Sequence, residues 1–188
     1  MSKRKGGVLN SDDKRTAIKI NDGVRLPSDN PDTSNNSYND LNDIRVDHTG
    51  TIHTPLSDAA EQGNLSDFKH LIEIGADPSK ANISGKPLIN SAAENGNLYI
   101  VKYLVEERGE NANKASEYGQ TPIYAAAGGG HLNVVKYLVE IAGANNDTTG
   151  SEGETPIYAA AQGGHLNVVK YLVEEAKQDA GKANIHGY

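Results

Sequence analysis

His131 and His165 stand thirty-four residues apart in one setting, each after glycines and before Leu-Asn-Val-Val. Imidazole is a common metal ligand and proton carrier, so a repeated histidine first raises metal binding or acid-base chemistry. A helical metal site needs a second ligand one turn on, and the residues there are Val135 and Val169. His48, His53, His70 and His186 form no ligand spacing either. The expected role of His131 and His165 is to cap or bridge helices. Gly128-Gly129-Gly130 resembles a phosphate loop, but an Ala-rich stretch precedes it and His131-Leu132 follows, where a strand and a Lys-Ser/Thr pair are required. Carboxylates pair at Glu106-Glu107, Glu152/Glu154 and Glu174-Glu175 with no serine-histidine or metal set to complete them. The chain has no cysteine, which removes thiol nucleophiles, thiolate ligands and disulfides. The expectation is a chain with no catalytic residues, no cofactor and no bound metal.

The elements that carry these residues explain the repetition better than chemistry does. TPIYAAAGGGHLNVVKYLVE from Thr121 and TPIYAAAQGGHLNVVKYLVE from Thr155 differ only at Gly128 against Gln162. The Ala pairs at 59–60, 92–93, 126–127 and 160–161 recur at 33, 34 and 34 residues, as do Gly63, Gly96, Gly130 and Gly164. A second ladder, Gly85, Gly119, Gly153 and Gly187, repeats at 34. Such a period points to stacked modules. Thr121 and Thr155 suit a helix N-cap, and Pro122 and Pro156 the first helical position, where a missing N–H costs nothing. Gly130 and Gly164 then end that helix in the left-handed conformation. A second helix follows, with Val134, Val135, Leu138 and Val139 on its buried face. Segments such as NANKASEYG and NNDTTGSEG read as turns between modules.

This pattern resembles the ankyrin repeat. GQTPIYAAAGGGHLNVVKYLV and GETPIYAAAQGGHLNVVKYLV are the strong matches, and PLSDAAEQGNLSDFKHLIEIGAD and GKPLINSAAENGNLYIVKYLVEE are weaker ones. The resemblance implies an all-α solenoid of helix-turn-helix units joined by hairpin-like turns. Four repeats fall at about 50–81, 82–115, 116–149 and 150–183, with the start of a fifth at 184–188. The family's histidine after Thr-Pro-Leu is replaced by Ser57, Asn90, Tyr124 and Tyr158. Repeats two and three each carry one extra residue after the second helix, near Arg108 and Ala142.

Residues 1–49 differ in kind. Twelve of the seventeen residues from Pro27 to Asp43 are Asp, Asn or Ser, a composition that cannot offset the entropy of ordering. They are expected to form a disordered tail, the alternative being an arm docked through Val24, Leu26, Leu41 and Ile44. Lys3-Arg4-Lys5 and Lys14-Arg15 resemble a split nuclear-localisation signal. The tail is balanced, with eight basic and eight acidic residues, so the net charge of −7 lies in residues 50–188. A body of that sign repels nucleic-acid phosphates. The N-terminus lacks the apolar stretch of a secretory signal, and no 18-residue apolar run occurs, so no membrane contact is expected. The cytoplasm is the expected location, with the nucleus and export as an effector as alternatives.

Arrays of this family bind proteins on the concave side, formed by turn tips and first helices. Carried over by position, that surface comprises His53, Glu61, Gln62, Ile83, Ser84, Lys86, Glu94, Asn95, Glu117, Tyr118, Gln120, Gly129, Ser151, Glu152, Glu154 and Gln162. Five glutamates against Lys86 make it acidic and suited to a basic or mixed segment of another protein, with Tyr118 as anchor. Tyr103, Tyr137 and Tyr171, with Lys102, Lys136 and Lys170, are expected on the outer side as packing and solubility residues. The alternative function is that of a fragment or targeting module of a larger ankyrin-repeat protein. Two features motivate it: the opening of a fifth copy, and a fourth second helix, Leu166-Val168-Val169-Leu172, without polar outer residues. The first repeat, by contrast, is expected to be capped by Ser57, Asp58, Ser66 and Asp67. The bare fourth repeat also raises self-association.

Overall fold

The computed structural model describes residues 45–46, 52–78, 85–147 and 150–177. The expected tail and the opening of a fifth repeat lie outside them, apart from Arg45–Val46. These two residues form β1, which pairs antiparallel with β2, Ile52–His53, Arg45 opposite His53. Eight helices follow: α1 Pro55–Gln62, α2 Leu65–Glu73, α3 Leu88–Glu94, α4 Leu98–Lys102, α5 Pro122–Gly128, α6 Leu132–Glu140, α7 Pro156–Gln162 and α8 Leu166–Glu174.

The start signals act as the sequence predicts. The Oγ1 atoms of Thr54, Thr121 and Thr155 accept from the N–H groups of Ser57, Tyr124 and Tyr158. In the first repeat Ser57 Oγ accepts in return from Thr54 N–H, completing a capping box. Ser57 is therefore buried inside its own cap, and the expectation that it is an outward polar residue fails. The stops are equally local: at the end of α5, His131 N–H reaches Ala126 C=O and Gly130 N–H reaches Ala127 C=O, with Gly130 at φ +77°. This is the Schellman closure.

First helices pack as one row, α1 on α3, α3 on α5, α5 on α7, and second helices as another, α2 on α4, α4 on α6, α6 on α8. Alanine sets the spacing of the first row, where Ala59, Ala60, Ala92, Ala93, Ala126, Ala127 and Ala160 are fully buried. Leu71, Leu104, Leu138 and Leu172 fill the space between rows. The extra residue of repeat two is absorbed inside the helix: after Lys102, α4 widens into one π turn over Tyr103–Glu107. Repeat three places its extra residue in the turn after Glu140, where Ala142 N–H bonds Tyr137 C=O. Both solutions carry the following glycine, Gly109 or Gly143, into the same left-handed turn that Gly75 makes in repeat one.

Repeat one is polar on the side away from repeat two. Asp67 stands where later repeats bury Ile100, Val134 and Val168, and His70 where they carry Tyr103, partly buried, and the buried Tyr137 and Tyr171. Asp58 stands where they carry Ser91, Ala125 and Ala159. Asp58 and Asp67 thus occupy capping positions. Ser66 aligns with Tyr99 and Asn133, which are exposed in interior repeats, so it marks no special cap.

Candidate protein-binding surface

The stack is held together by bonds between successive repeats. At the start of α4, α6 and α8 a side-chain N–H reaches back to the first helix of the preceding repeat, whose last carbonyls lack helical partners. Asn97 Nδ2 donates to the carbonyls of Ala60 and Glu61 at 2.7 and 2.8 Å. His131 Nε2 takes the same place on Glu94 C=O at 2.8 Å, and His165 Nε2 on Gly128 C=O at 2.9 Å. A carbonyl only accepts, so Nε2 carries the proton in both rings. These are the bridging histidines expected from the sequence, and the contact adds a second reason, beside the left-handed φ, for glycine at the end of the preceding repeat's first helix. A Cβ on Gly63, Gly96 or Gly130 would stand 2.4 Å from the incoming Asn97, His131 or His165.

On the second helices the Lys and Tyr ladders interlock. Lys69, Lys102 and Lys136 lie over the rings of Tyr103, Tyr137 and Tyr171, 4.6 to 5.3 Å from the centroids. Tyr137 and Tyr171 donate their hydroxyls to Glu106 and Glu140 of the preceding repeat, at 3.0 and 2.9 Å. Burial, then this bond to a carboxylate, pushes the Tyr137 phenol up to about 12, and the same causes raise Tyr171 further. Tyr137 and Tyr171 are buried seam residues, packing the stack as anticipated but from within.

The turn tips between helix pairs are tight hairpins. Ser116 N–H bonds Gln120 C=O and Gly119 N–H bonds Ser116 C=O, a three-residue loop that needs Gly119 at φ +73°. Gly150, Gly153 and Glu154 repeat the arrangement, and Ser151 N–H joins the two tips through Tyr118 C=O at 3.0 Å. Glu117, Tyr118, Ser151 and Glu152 are exposed on these tips, Tyr118 by 67%. Glu154 is half-buried and folds over its own loop, Oε2 accepting from Glu152 N–H. Glu154 and Glu152 also face Tyr124, whose phenol is raised first by burial and then by these carboxylates and Tyr158.

Between tips and first helices runs an open groove of about 430 Å³, lined across three repeats by Lys86, Asn90, Glu94, Gln120, Tyr124, Ala125, Gly128, Gly129, Ala159, Gln162 and Gly163. It brings together Lys86, Glu94, Gln120 and Gln162 of the expected surface, with Gly129. Lys86 Nζ pairs with Glu94, so the cation of this wall is already partnered. Asn95 stands beyond it, bonded to Ser91 C=O at the end of α3. Ile83 and Ser84 lie outside the described residues. Asn90, Tyr124, Ala125, Gly128, Ala159 and Gly163 are groove residues that sequence reasoning missed; the available signal was their alignment with the first-helix positions already chosen.

At the first repeat, His53 Nδ1 lies 3.3 Å from Asp58 Oδ1 and 3.8 Å from Glu61 Oε2. Burial raises the Glu61 carboxyl, with His53 opposing and Asp58 adding to the shift. These three ligand-type atoms fall within 4.8 Å of one another, so His53, Asp58 and Glu61 form a set able to approach a cation. Linear spacing had concealed it, because β2 and α1 bring His53 over the N-terminal turn of the helix.

Comparison with known families matches residues 56–149 to ankyrin repeats in three copies and residues 152–185 to a further ankyrin repeat. The chain belongs to the ankyrin repeat family, whose members generally serve protein–protein interaction and are typically non-catalytic. No curated protein matches it. Among the described residues no helix is long and apolar enough to cross a membrane.

Proposed function

We propose that this chain is a non-catalytic docking module that holds a basic or mixed segment of another protein along its concave side, in the cytoplasm. The observation that supports this most is the groove shared by three consecutive repeats, bordered by the exposed tips bearing Glu117, Tyr118 and Glu152. A groove of this kind presents carboxylates and an aromatic anchor to an extended guest without enclosing a reacting centre. Affinity capture on the immobilised full chain, at about 0.1 M and about 1 M salt, tests it: the screening length falls from ~10 to ~3 Å, and captured partners should be lost. Partners retained equally at both salts, or indifferent to Glu117→Gln, Tyr118→Ala and Glu152→Gln, would refute the docking model.

A second reading, self-association, is favoured by one feature. Leu166 is 63% exposed and Val173 38% on the far side of repeat four, where the matching residues of repeat three are partly covered by repeat four. A second copy would bring Asp58, Asp67 and His70 to that side in a head-to-tail contact, burying charge against apolar surface. Sedimentation velocity over a concentration series separates the two readings: a single monomeric species removes self-association.

A further inference from the structure

Gly128 against Gln162 is the one difference between the twin segments, and both residues line the groove. Repeats one and two carry Glu61 and Glu94 at the same place, so repeat three alone presents no side chain there. The backbone does not require glycine. Gly128 has no left-handed φ, and among the described residues an added Cβ would meet only Ala159 Cβ at 3.7 Å, an ordinary contact. Glycine within a helix is less stable than residues with a side chain, so nothing in the local fold accounts for it.

A second departure lies in the same wall. Asn90 occupies the position of Tyr124 and Tyr158, replacing a long aromatic side chain by a short polar one. It is 1% exposed, and its Nδ2 donates to Gln120 C=O at 2.7 Å, which fixes the orientation of the amide. Asn90 Oδ1 is then left buried without a partner among the described residues. Such an acceptor is unfavourable unless an N–H or O–H is brought to it.

We propose that Gly128 and Asn90 open a pocket in the groove that receives an arginine or lysine side chain of the segment bound on the concave surface. The proposal rests on the docking function given above. A cationic guest brings N–H donors to Asn90 Oδ1 and positive charge toward the Glu152/Glu154 tip. An apolar guest would leave the Asn90 oxygen unpaired. An acidic guest would meet those glutamates with only Lys86, which is already bound to Glu94.

Fluorescence anisotropy with labelled nona-arginine, and nona-glutamate as control, tests the pocket on the full chain. Wild type should bind nona-arginine and not nona-glutamate. Gly128→Gln copies the residue found at 162 and changes no charge; it should keep the unfolding midpoint at or above wild type and weaken binding by about tenfold or more. Gly128→Ala should fall between. Asn90→Leu, which keeps the volume and removes the acceptor, should also weaken binding. Equal binding by wild type and a folded Gly128→Gln overturns the pocket and leaves the electrostatic docking surface standing. Failure of wild type to bind nona-arginine overturns both. A Gly128→Gln chain with a lowered midpoint overturns the pocket too, because open space at residue 128 would then be absent.

Discussion

Replacing Gly130 and Gly164 by alanine, one at a time, measures a seam against an internal control. The two glycines share their local sequence and conformation, at φ +77° and +76°. An L-residue held there costs roughly 1–2 kcal/mol, so both variants lose that amount. At Gly164 the new Cβ meets nothing within 4 Å among the described residues, and the loss ends there. At Gly130 the Cβ would fall 2.4 Å from Nδ1 and 2.6 Å from Cε1 of His165, so the ring must swing away. Its 2.9 Å bond to Gly128 C=O is then broken, which adds about 1 kcal/mol for the bond and more for a carbonyl left without a donor. Gly130→Ala should therefore cost about 2–4 kcal/mol and Gly164→Ala about 1–2. Urea unfolding followed by far-UV circular dichroism gives both values, with an unchanged slope confirming that the same cooperative transition is compared. Adding His165→Ala to each variant completes the test: it should be markedly non-additive with Gly130→Ala and additive with Gly164→Ala. Equal costs for the two alanines, or additivity in both pairs, would refute the claim that Gly130, beyond its left-handed φ, must also admit the next imidazole.

Three further outcomes follow from the packing. Leu138→Ala, at a fully buried site, should cost ~2–5 kcal/mol, read as a lowered denaturation midpoint. Thr155→Ala removes a buried cap whose Oγ1 accepts from Tyr158 N–H and should cost about 1 kcal/mol, measured the same way. The Tyr137 phenol is raised from 10.0 to about 12 in the folded chain, so folding favours its neutral form. That contribution is complete below the unfolded value and is lost as pH rises through the folded one. Stability should fall between those two pH values, and Tyr137→Phe should lose less over that window than wild type.

What the sequence disclosed was whatever depends on near neighbours along the chain. Thr-Pro before an Ala run and Gly-Gly-His after it fix helix starts and stops within a few residues, so the repeats, caps and left-handed glycines could be read directly. The role of Tyr137 and Tyr171 could not, because their partners Glu106 and Glu140 lie 31 residues earlier. A ladder shows that a residue recurs without showing which module it touches. The groove was legible in part. Lys86, Glu94, Gln120 and Gln162 follow from position in the repeat, whereas Asn90 and Gly128 matter as departures from the pattern, and attention to what repeats hides what does not. The His53, Asp58 and Glu61 set was hidden for a simpler reason: a strand and a helix had to meet before three ordinary residues became neighbours.

The seam bonds of Asn97, His131, His165, Tyr137 and Tyr171 run in one direction, from an imidazole, amide or phenol back to an oxygen of the module behind, while the Asn90 and Asn146 amides reach forward. A block of thirty-four residues therefore carries its own connectors on one side and the sockets for its successor on the other. Copying such a block within a gene lengthens the protein by a piece that fits at once, with no compensating change elsewhere. The twin stretches beginning at Thr121 and Thr155 have the form of such a copy, and the place where they have parted company lines the groove. Divergence of this kind can alter what is bound while leaving untouched how the molecule stands.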